Sequence, residues 1–205
     1  VNLTFMSEPE ISLRERILET SRKFLFSDGY SSLSMRKIAK EIGVSATSIY
    51  LYFENKDHLI HTLIEESVEE LSTSIEQSVE GVEDTIKRFE AIIWSYIRFA
   101  QHNPEKYQII YMVHSDRMAR YPKEKFRKAR RGYALLESVI MDGIKEGLME
   151  LDKPMIAAYT IWAQLHGVVS VVFNQRLDSR IDRDEFIEES VEQIMQGFLI
   201  RITTT

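Results

Sequence analysis

The chain of 205 residues contains no cysteine, only four prolines and eight glycines, and no apolar run close to the length that spans a bilayer. The absence of cysteine excludes disulfide bonds, thiolate catalysis and cysteine-based zinc sites, and it fits a reducing compartment. A transmembrane helix needs about 20 consecutive apolar residues, so we expect no membrane-spanning segment. The N-terminal residues also lack the charged and apolar regions of a signal peptide, and we therefore expect a cytoplasmic protein.

The few glycines and prolines leave long stretches in which helices can form, and 44% of the residues are apolar, which is enough for a sizeable core. Apolar residues recur at helical spacing, and no segment shows a convincing strand pattern. We therefore predict an all-α fold of about nine helices, three of them near the N-terminus. The later six are predicted at residues 56–79, 83–102, 105–114, 122–147, 154–175 and 184–202.

A segment near the N-terminus reads as two short helices joined by a turn, which is the pattern of a helix-turn-helix. Ser34 is placed to cap the first helix, and Gly43 suits the left-handed conformation that ends a helix. Ser45 is placed to cap a second helix, whose buried side we predict at Ile49 and Phe53.

The opposite side of the second helix carries hydroxyl and aromatic side chains, which suits a helix laid in the major groove of DNA. We predict that Tyr50, Tyr52 and Lys56 mainly hold phosphates and that Thr47 touches base edges. The full set of predicted DNA-binding residues is Ser34, Ser45, Ala46, Thr47, Ser48, Tyr50, Leu51, Tyr52 and Lys56.

The net charge of −6 divides unevenly along the chain. Residues 1–56 carry a net charge of +1, and the remainder carries −7. An acidic bulk behind a near-neutral N-terminal domain repels phosphate everywhere except at that domain. The charge distribution therefore orients the approach to DNA more than it strengthens binding.

Residues 12–60 closely resemble the TetR (tetracycline-repressor) family of bacterial transcription regulators. The residues in family positions are Gly29-Tyr30, Ile38-Ala39, Gly43-Val44-Ser45, Ile49-Tyr50, Tyr52-Phe53 and Lys56. The resemblance implies a helix-turn-helix DNA-binding domain at residues 1–56 and a regulatory ligand-binding and dimerisation domain at residues 57–205. It also implies a double-stranded DNA operator with palindromic sequence, repression more often than activation, and a small-molecule effector in place of a cofactor.

In the TetR family the last two helices of each subunit form a four-helix bundle between subunits. The resemblance therefore implies a homodimer through the predicted helices 154–175 and 184–202, where small and apolar residues fit a close approach of helices. Ordinary packing within one chain is the alternative. The predicted interface residues are Ala158, Val169, Phe173, Val191, Ile194 and Phe198.

Aromatic and methionine side chains on the central helices are candidates to line a mostly apolar effector pocket. A plain hydrophobic core is the alternative at each of these positions. The stretch from Trp162 to Gly167 resembles a pattern in one subgroup of the family, which places His166 at the pocket or at the dimer seam. The candidates are Trp94, Phe99, Tyr107, Tyr111, Met112, Met141, Trp162 and His166.

The segment from Arg117 to Arg131 concentrates eight cations against one glutamate in an otherwise acidic region. Three interpretations remain open: a solvated surface, a second phosphate-binding surface, or a gate for an anionic ligand such as a carboxylate or an acyl-coenzyme A. The effector is accordingly expected to be a small apolar or amphipathic molecule, with an anionic one as one of the alternatives.

A helical metal-binding protein and a helical adaptor are the alternatives to a DNA-binding regulator. Asp57, His58, His61 and Glu65 lie at helical spacing, but no histidine follows a glutamate by three residues, as di-iron bundles require. The nucleophile-elbow, P-loop and dinucleotide-binding motifs are also absent, so we expect neither an enzyme nor a metal site. An adaptor would leave the polar, aromatic face unexplained.

Overall fold

The computed structural model describes residues 11–111 and 130–200, and within these ranges the chain forms nine α-helices and no strand. The all-α prediction is confirmed. The helices are α1 Leu13–Ser32, α2 Met35–Ile42, α3 Ala46–Tyr50, α4 Lys56–Ser78, α5 Thr85–His102, α6 Pro104–Tyr111, α7 Arg131–Lys145, α8 Pro154–Phe173 and α9 Arg183–Phe198. Met112 and most of the basic segment lie outside the described residues.

Most helix boundaries fall close to their predicted positions. The helix predicted at residues 122–147 begins only at Arg131, and residues 122–129 lie outside the described part of the chain. Among the other boundaries, the largest difference is at the end of α9. This helix ends at Phe198, whereas the sequence pattern extends to residue 202. Leu199 adopts extended backbone, and the N–H of Ile200 donates to the carbonyl of Leu148 at 2.9 Å. A hydrogen bond to a distant segment thus replaces the next helical one, which local periodicity does not reveal.

The described chain divides into two compact units. The first contains residues 11–67 and 105–111, and the second contains residues 68–104 and 130–200. Leu59, Ile60 and Leu63 of α4 are fully buried in the core of the first unit. The first unit therefore extends past the boundary predicted at residue 56, because the start of α4 completes its core.

The core of the first unit joins α1, α2, α3, the start of α4 and Ile109 of α6. Its members are large aliphatic and aromatic side chains, each of which stabilises the fold by about 1.5–3 kcal/mol when fully buried. Those with almost no exposed surface include Ile17, Ile38, Ile49, Phe53, Leu59, Ile60, Leu63 and Ile109.

In the second unit, α5 packs against α7, α8 and α9. Fully buried side chains on three of these helices form its core: Phe89, Ile93, Ile97, Val139, Ile140 and Ile161. Asp84 caps α5 by accepting the N–H of Lys87 at 2.8 Å, and Arg88 pairs with Asp142 at 3.1 Å. The pair between Arg88 and Asp142 joins the start of α5 to the last turns of α7.

Helix α8 is unusually apolar for its degree of burial. Contrary to the expectation from the sequence, this helix of 20 residues is long and apolar enough to cross a membrane by length and composition alone. Its mean hydropathy is 1.5, and 28% of that window is buried. Ala157, Ile161 and Leu165 lie on its buried side, whereas Ile156 and Tyr159 are exposed. One protomer thus leaves part of the apolar surface of α8 uncovered.

Candidate nucleic-acid interface

The predicted helix-turn-helix is present, and its caps are made by the predicted residues. The Ser34 hydroxyl accepts the N–H of Lys37 at 3.2 Å, and the Ser45 hydroxyl accepts the N–H of Ser48 at 3.1 Å. Gly43 ends α2 with φ 74° and ψ 34°, the left-handed conformation in which a side chain costs roughly 1–2 kcal/mol. The turn between α2 and α3 is therefore specified by local sequence.

Helix α3 is oriented by its buried side. Ile49 is 0% exposed and Phe53 is 2% exposed, and both lie in the core of the first unit, as predicted. Ala46 also packs against this core. Because these side chains point inward, the other side of α3 and of the turn that follows it faces solvent.

The solvent-facing side presents large apolar and aromatic side chains, whose exposure does not stabilise the fold. Tyr50 is 52% exposed, Leu51 is 80% exposed and Tyr52 is 44% exposed, and Thr47 is exposed beside them. A threonine hydroxyl can bond a base edge, apolar groups can contact a thymine methyl, and phenol groups can bond phosphate. These four residues form what we call the recognition face.

The other predicted contact residues have partners within the protein. The hydroxyls of Ser34 and Ser45 make helix caps, and Ser48 is half-buried with its hydroxyl 2.8 Å from that of Ser45. The Lys56 ammonium donates to the carbonyl of Tyr30 and lies 3.8 Å from the centre of the Tyr30 ring. Burial lowers the pKa of Lys56 below its ordinary value.

Two exposed cations on α2 were not among the predicted contacts. Arg36 and Lys40 are four residues apart and therefore lie on the same side of that helix. Lys37, between them, pairs with Asp28. The spacing of Arg36 and Lys40 was a sequence signal that could have identified them as candidate phosphate contacts.

The second unit contains a row of stacked aromatic rings that includes two predicted pocket residues. Trp162 and His166 stack with centroids 5.4 Å apart, and burial lowers the pKa of His166. Tyr133, which the sequence reading missed, lies edge-on to Trp162 at 5.7 Å and stacks on Tyr159 at 4.7 Å. Rings from α7 and α8 thus form one row.

The remaining pocket candidates are distributed over both units. Tyr107 and Tyr111 belong to the first unit, with rings 5.0 Å apart. In the second unit Phe99 is buried in the core, Trp94 is half-buried, and Met141 is exposed. Met112 lies outside the described residues.

Four of the six predicted dimer residues are buried within the chain itself. Ala158, Val169, Val191 and Ile194 are each at most 5% exposed within one protomer, so they contribute to the protomer's own core. Ile194 also lines the open groove between α8 and α9. The sequence pattern identified the packed side of each helix, and that side faces the same chain. The other two candidates, Phe173 and Phe198, are half-buried.

An open groove lies between α8 and α9. Its volume is about 450 Å³, and it is lined by Gln164, Gly167, Val168, Val171, Phe186, Ser190, Gln193 and Ile194. A Cβ placed on Gly167 would have no neighbouring heavy atom within 4 Å, so packing within one protomer does not require glycine at this position.

Arg131, the last residue of the basic segment, is bound to α4 within the second unit. Its Nε and Nη2 donate to the two carboxylate oxygens of Glu76 at 2.8 Å each, and its Nη1 donates to Glu69 at 2.7 Å. Hydrogen bonds to Glu76 and Glu69 raise the pKa of Arg131. We call this arrangement the Arg131 clasp.

The histidines near the start of α4 make structural contacts. His58 Nδ1 accepts the N–H of Glu54 at 3.3 Å, and His61 is buried. Asp57 accepts the hydroxyl of Tyr30 at 2.8 Å. Over residues 11–111 and 130–200, no group of three or more histidine, aspartate or glutamate residues is arranged to hold a metal ion.

Comparison with known proteins agrees with this geometry. Residues 17–63 match the family model for bacterial regulatory proteins of the TetR family, and residues 89–194 match that for the tetracyclin repressor-like C-terminal domain. The nucleoid occlusion factor SlmA of Vibrio cholerae serotype O1 is 32% identical over 96 residues, covering 46% of this chain. The match spans 49% of that protein's length, about half of it.

Solved structures show the same fold over most of the chain. A TetR-family transcription regulator from Shewanella sp. PV-4 has a TM-score of 0.74 at 19% identity, covering 93% of this chain and 100% of that one. The fatty acid degradation regulator FadR from Bacillus halodurans has a TM-score of 0.70 at 20% identity, covering 92% and 97%. The chain belongs to the TetR family and is a DNA-binding transcriptional regulator.

Proposed function

We propose that this regulator is a homodimeric cytoplasmic repressor that binds a palindromic operator and is released by a small amphipathic effector. The observation that carries the DNA-binding part is the recognition face, in which Thr47, Tyr50, Leu51 and Tyr52 are exposed above a fully packed core. Exposing a leucine and two tyrosines on a short helix and the turn that follows it gains nothing for folding, whereas a major groove offers partners for each.

Selection of bound DNA from a random pool tests this proposal directly. We expect enrichment of an inverted repeat whose half-sites are about one or two helical turns apart, because a symmetric dimer places two equivalent recognition helices on one face of the duplex. Enrichment of a single half-site would contradict the dimeric mode, and no enrichment at all would contradict sequence-specific repression.

The dimer is supported by the surface of α8 and α9. The open groove between these helices is lined by apolar and small polar side chains, and Gly167 has free space where a side chain would stand. A second copy, packed as expected for the family, would cover this groove and the uncovered apolar side of α8. Isologous packing uses the same patch on both subunits, which such a groove permits.

The effector is proposed to be a long-chain acyl compound with an anionic end. The row of aromatic rings from Tyr159 to His166 offers an apolar lining that is half-buried at Tyr133, Trp162 and His166, and the basic segment supplies cations for a carboxylate or phosphate. The fold shared with a regulator of fatty acid degradation is consistent with this class of ligand.

Release requires only that the effector favour a dimer whose two recognition helices no longer match the half-site spacing. A coupling of about 1–3 kcal/mol would weaken operator binding roughly 5- to 150-fold. Titrating the operator complex with fatty acids, acyl-coenzyme A and neutral hydrophobic compounds tests the ligand class. Release by neutral compounds alone would contradict an anionic effector.

A further inference from the structure

Two consecutive residues at the start of α4 hold a single tyrosine at the end of α1. Lys56 donates its ammonium to the carbonyl of Tyr30 and covers the Tyr30 ring at 3.8 Å. Asp57 accepts the hydroxyl of the same tyrosine at 2.8 Å. The backbone, the ring face and the hydroxyl of Tyr30 are therefore all bound; we call this arrangement the Tyr30 joint.

The joint lies where the chain changes direction twice. Gly29 interrupts α1 with φ 75° and ψ 175°, and Tyr30 follows it directly. Lys56 is the first residue of α4, and only residues 51–55 separate α3 from it. This short connection carries Leu51 and Tyr52 of the recognition face. Fixing its end at Tyr30 limits the positions that the recognition face can adopt.

The surroundings of Lys56 are those of an attachment point rather than of a free surface cation. The carbonyl and the ring of Tyr30 replace part of the hydration shell of the Lys56 ammonium. A hydrogen bond from a charged donor of this kind is roughly twice as strong as one between neutral groups. Lys40, in contrast, is exposed in the last turn of α2. The two lysines are therefore expected to serve DNA binding in different ways.

We propose that Lys56 is a positioning residue. Together with Asp57 it binds Tyr30, and it thereby fixes the connection between α3 and α4 that presents the recognition face to the operator. This role replaces the phosphate contact that the sequence suggested for Lys56. The proposal rests on the DNA-binding function but not on the identity of the effector.

The test compares Lys56→Met with wild type on the selected operator and on random DNA, at several salt concentrations and at a temperature where circular dichroism shows both proteins folded. We expect operator binding to be about tenfold weaker, because a mobile connection between α3 and α4 weakens the contacts of the recognition face with the operator bases. Binding to random DNA should not change. The slope of log affinity against log salt should not change, because no phosphate contact is lost.

Variants of two other lysines serve as controls for Lys56→Met. Lys40→Met should weaken operator and random DNA alike and lower the salt slope by about one unit, as expected for a phosphate contact. Lys23→Met removes a lysine that is 65% exposed and paired with Glu19, and it should change neither affinity nor slope. Operator preference of the wild type, measured in the same series, tests the proposed function separately from the joint.

Milder variants cover the case in which Lys56→Met does not fold. Tyr30→Phe keeps the ring and the carbonyl but removes the hydroxyl bound to Asp57, and it should weaken operator binding roughly threefold with the slope unchanged. Lys56→Arg should retain most of the wild-type affinity, since a guanidinium can also donate to the carbonyl and stack on the ring. A slope lowered by one unit in Lys56→Met, or unchanged operator affinity in both Lys56→Met and Tyr30→Phe, would overturn the proposal.

Discussion

At the scale of single residues, the recognition face consists of the side chains that neither cap a helix nor pack into the core of the first unit. The Ser45 hydroxyl caps α3 and Ile49 fills the core. Thr47 is exposed, two residues after the cap, and its side chain combines a hydroxyl with a methyl group. It is therefore the best-placed residue of α3 for a base edge.

Replacing Thr47 with valine tests this assignment, since valine keeps the shape and removes only the hydroxyl. We expect a relaxed preference at one base pair of each half-site, corresponding to about 1–3 kcal/mol of lost discrimination, and an unchanged salt slope. Repeating the DNA selection with the variant measures the preference. A uniform loss across all sequences, as Lys40→Met should give, would assign Thr47 to a contact with the DNA backbone instead.

His166 gives the protein a pH dependence with a definite sign. Burial beside Trp162 lowers its pKa below the ordinary value near 6.5, so folding favours the neutral ring. Its contribution to stability is then complete above pH 6.5 and declines as pH falls through the lowered folded pKa. We expect wild type to lose more unfolding free energy than His166→Gln between pH 7 and pH 5, in urea titrations. Parallel curves for the two proteins would contradict this.

At the scale of helices, the Arg131 clasp joins the first residue of α7 to two glutamates seven positions apart on α4. Beside it, a Cβ placed on Gly132 would lie 3.3 Å from Ile75, so the start of α7 packs closely on α4. The clasp is partly exposed, and ion pairs of this kind contribute about 0–1 kcal/mol. Its main effect is therefore to fix the start of α7 rather than to stabilise the unit.

Arg131→Gln should accordingly increase amide hydrogen exchange in residues 134–138, where the helical hydrogen bonds of α7 begin, while shifting the midpoint of thermal unfolding by less than about 4 °C. Glu76→Gln should give a similar but smaller effect, because Glu69 still accepts one hydrogen bond. Unchanged exchange in both variants would show that packing of Gly132 alone holds the helix. Variants meant to test an anion gate should thus neutralise other cations of the basic segment and leave Arg131 intact.

At the scale of the whole molecule, the dimer depends on surface that one chain leaves uncovered. The predicted interface residues Val169 and Val191 are buried within the protomer, whereas Gly167 and Ala163 are exposed on α8. The two sides of this helix therefore serve different purposes. The buried side contributes to the core of the second unit, and the uncovered side is the surface that the proposed dimer would bury.

Gly167→Glu should therefore split the dimer without unfolding the protomer, since it places a charge in the groove where a Cβ has free space. Sedimentation should show a monomer at micromolar concentration, and operator binding should weaken at least 100-fold because one half-site is lost. Ser138→Glu, which adds the same charge at an exposed position of α7, should remain dimeric. Val169→Glu should instead lower the unfolding temperature, because that side chain is in the core.

Local features of the fold were predictable because neighbouring residues determine them. The caps at Ser34 and Ser45 and the left-handed turn at Gly43 need only a few consecutive residues, and the burial of Ile49 follows from spacing along one helix. The recognition face could be inferred for the same reason. The boundary between the two units could not, because whether the start of α4 joins the first core depends on segments far apart in the sequence.

The sequence by itself determined an all-helical regulator with a helix-turn-helix, since periodicity, capping and turn residues act over a few positions. Tertiary structure decided which charged and apolar groups remain available for partners. Lys56 meets the backbone of a residue 26 positions away, and Arg131 meets a glutamate 62 positions away. Contacts at such separations leave no periodic signal in the sequence, so only the folded chain distinguishes a positioning lysine from a phosphate contact and a core valine from a dimer contact.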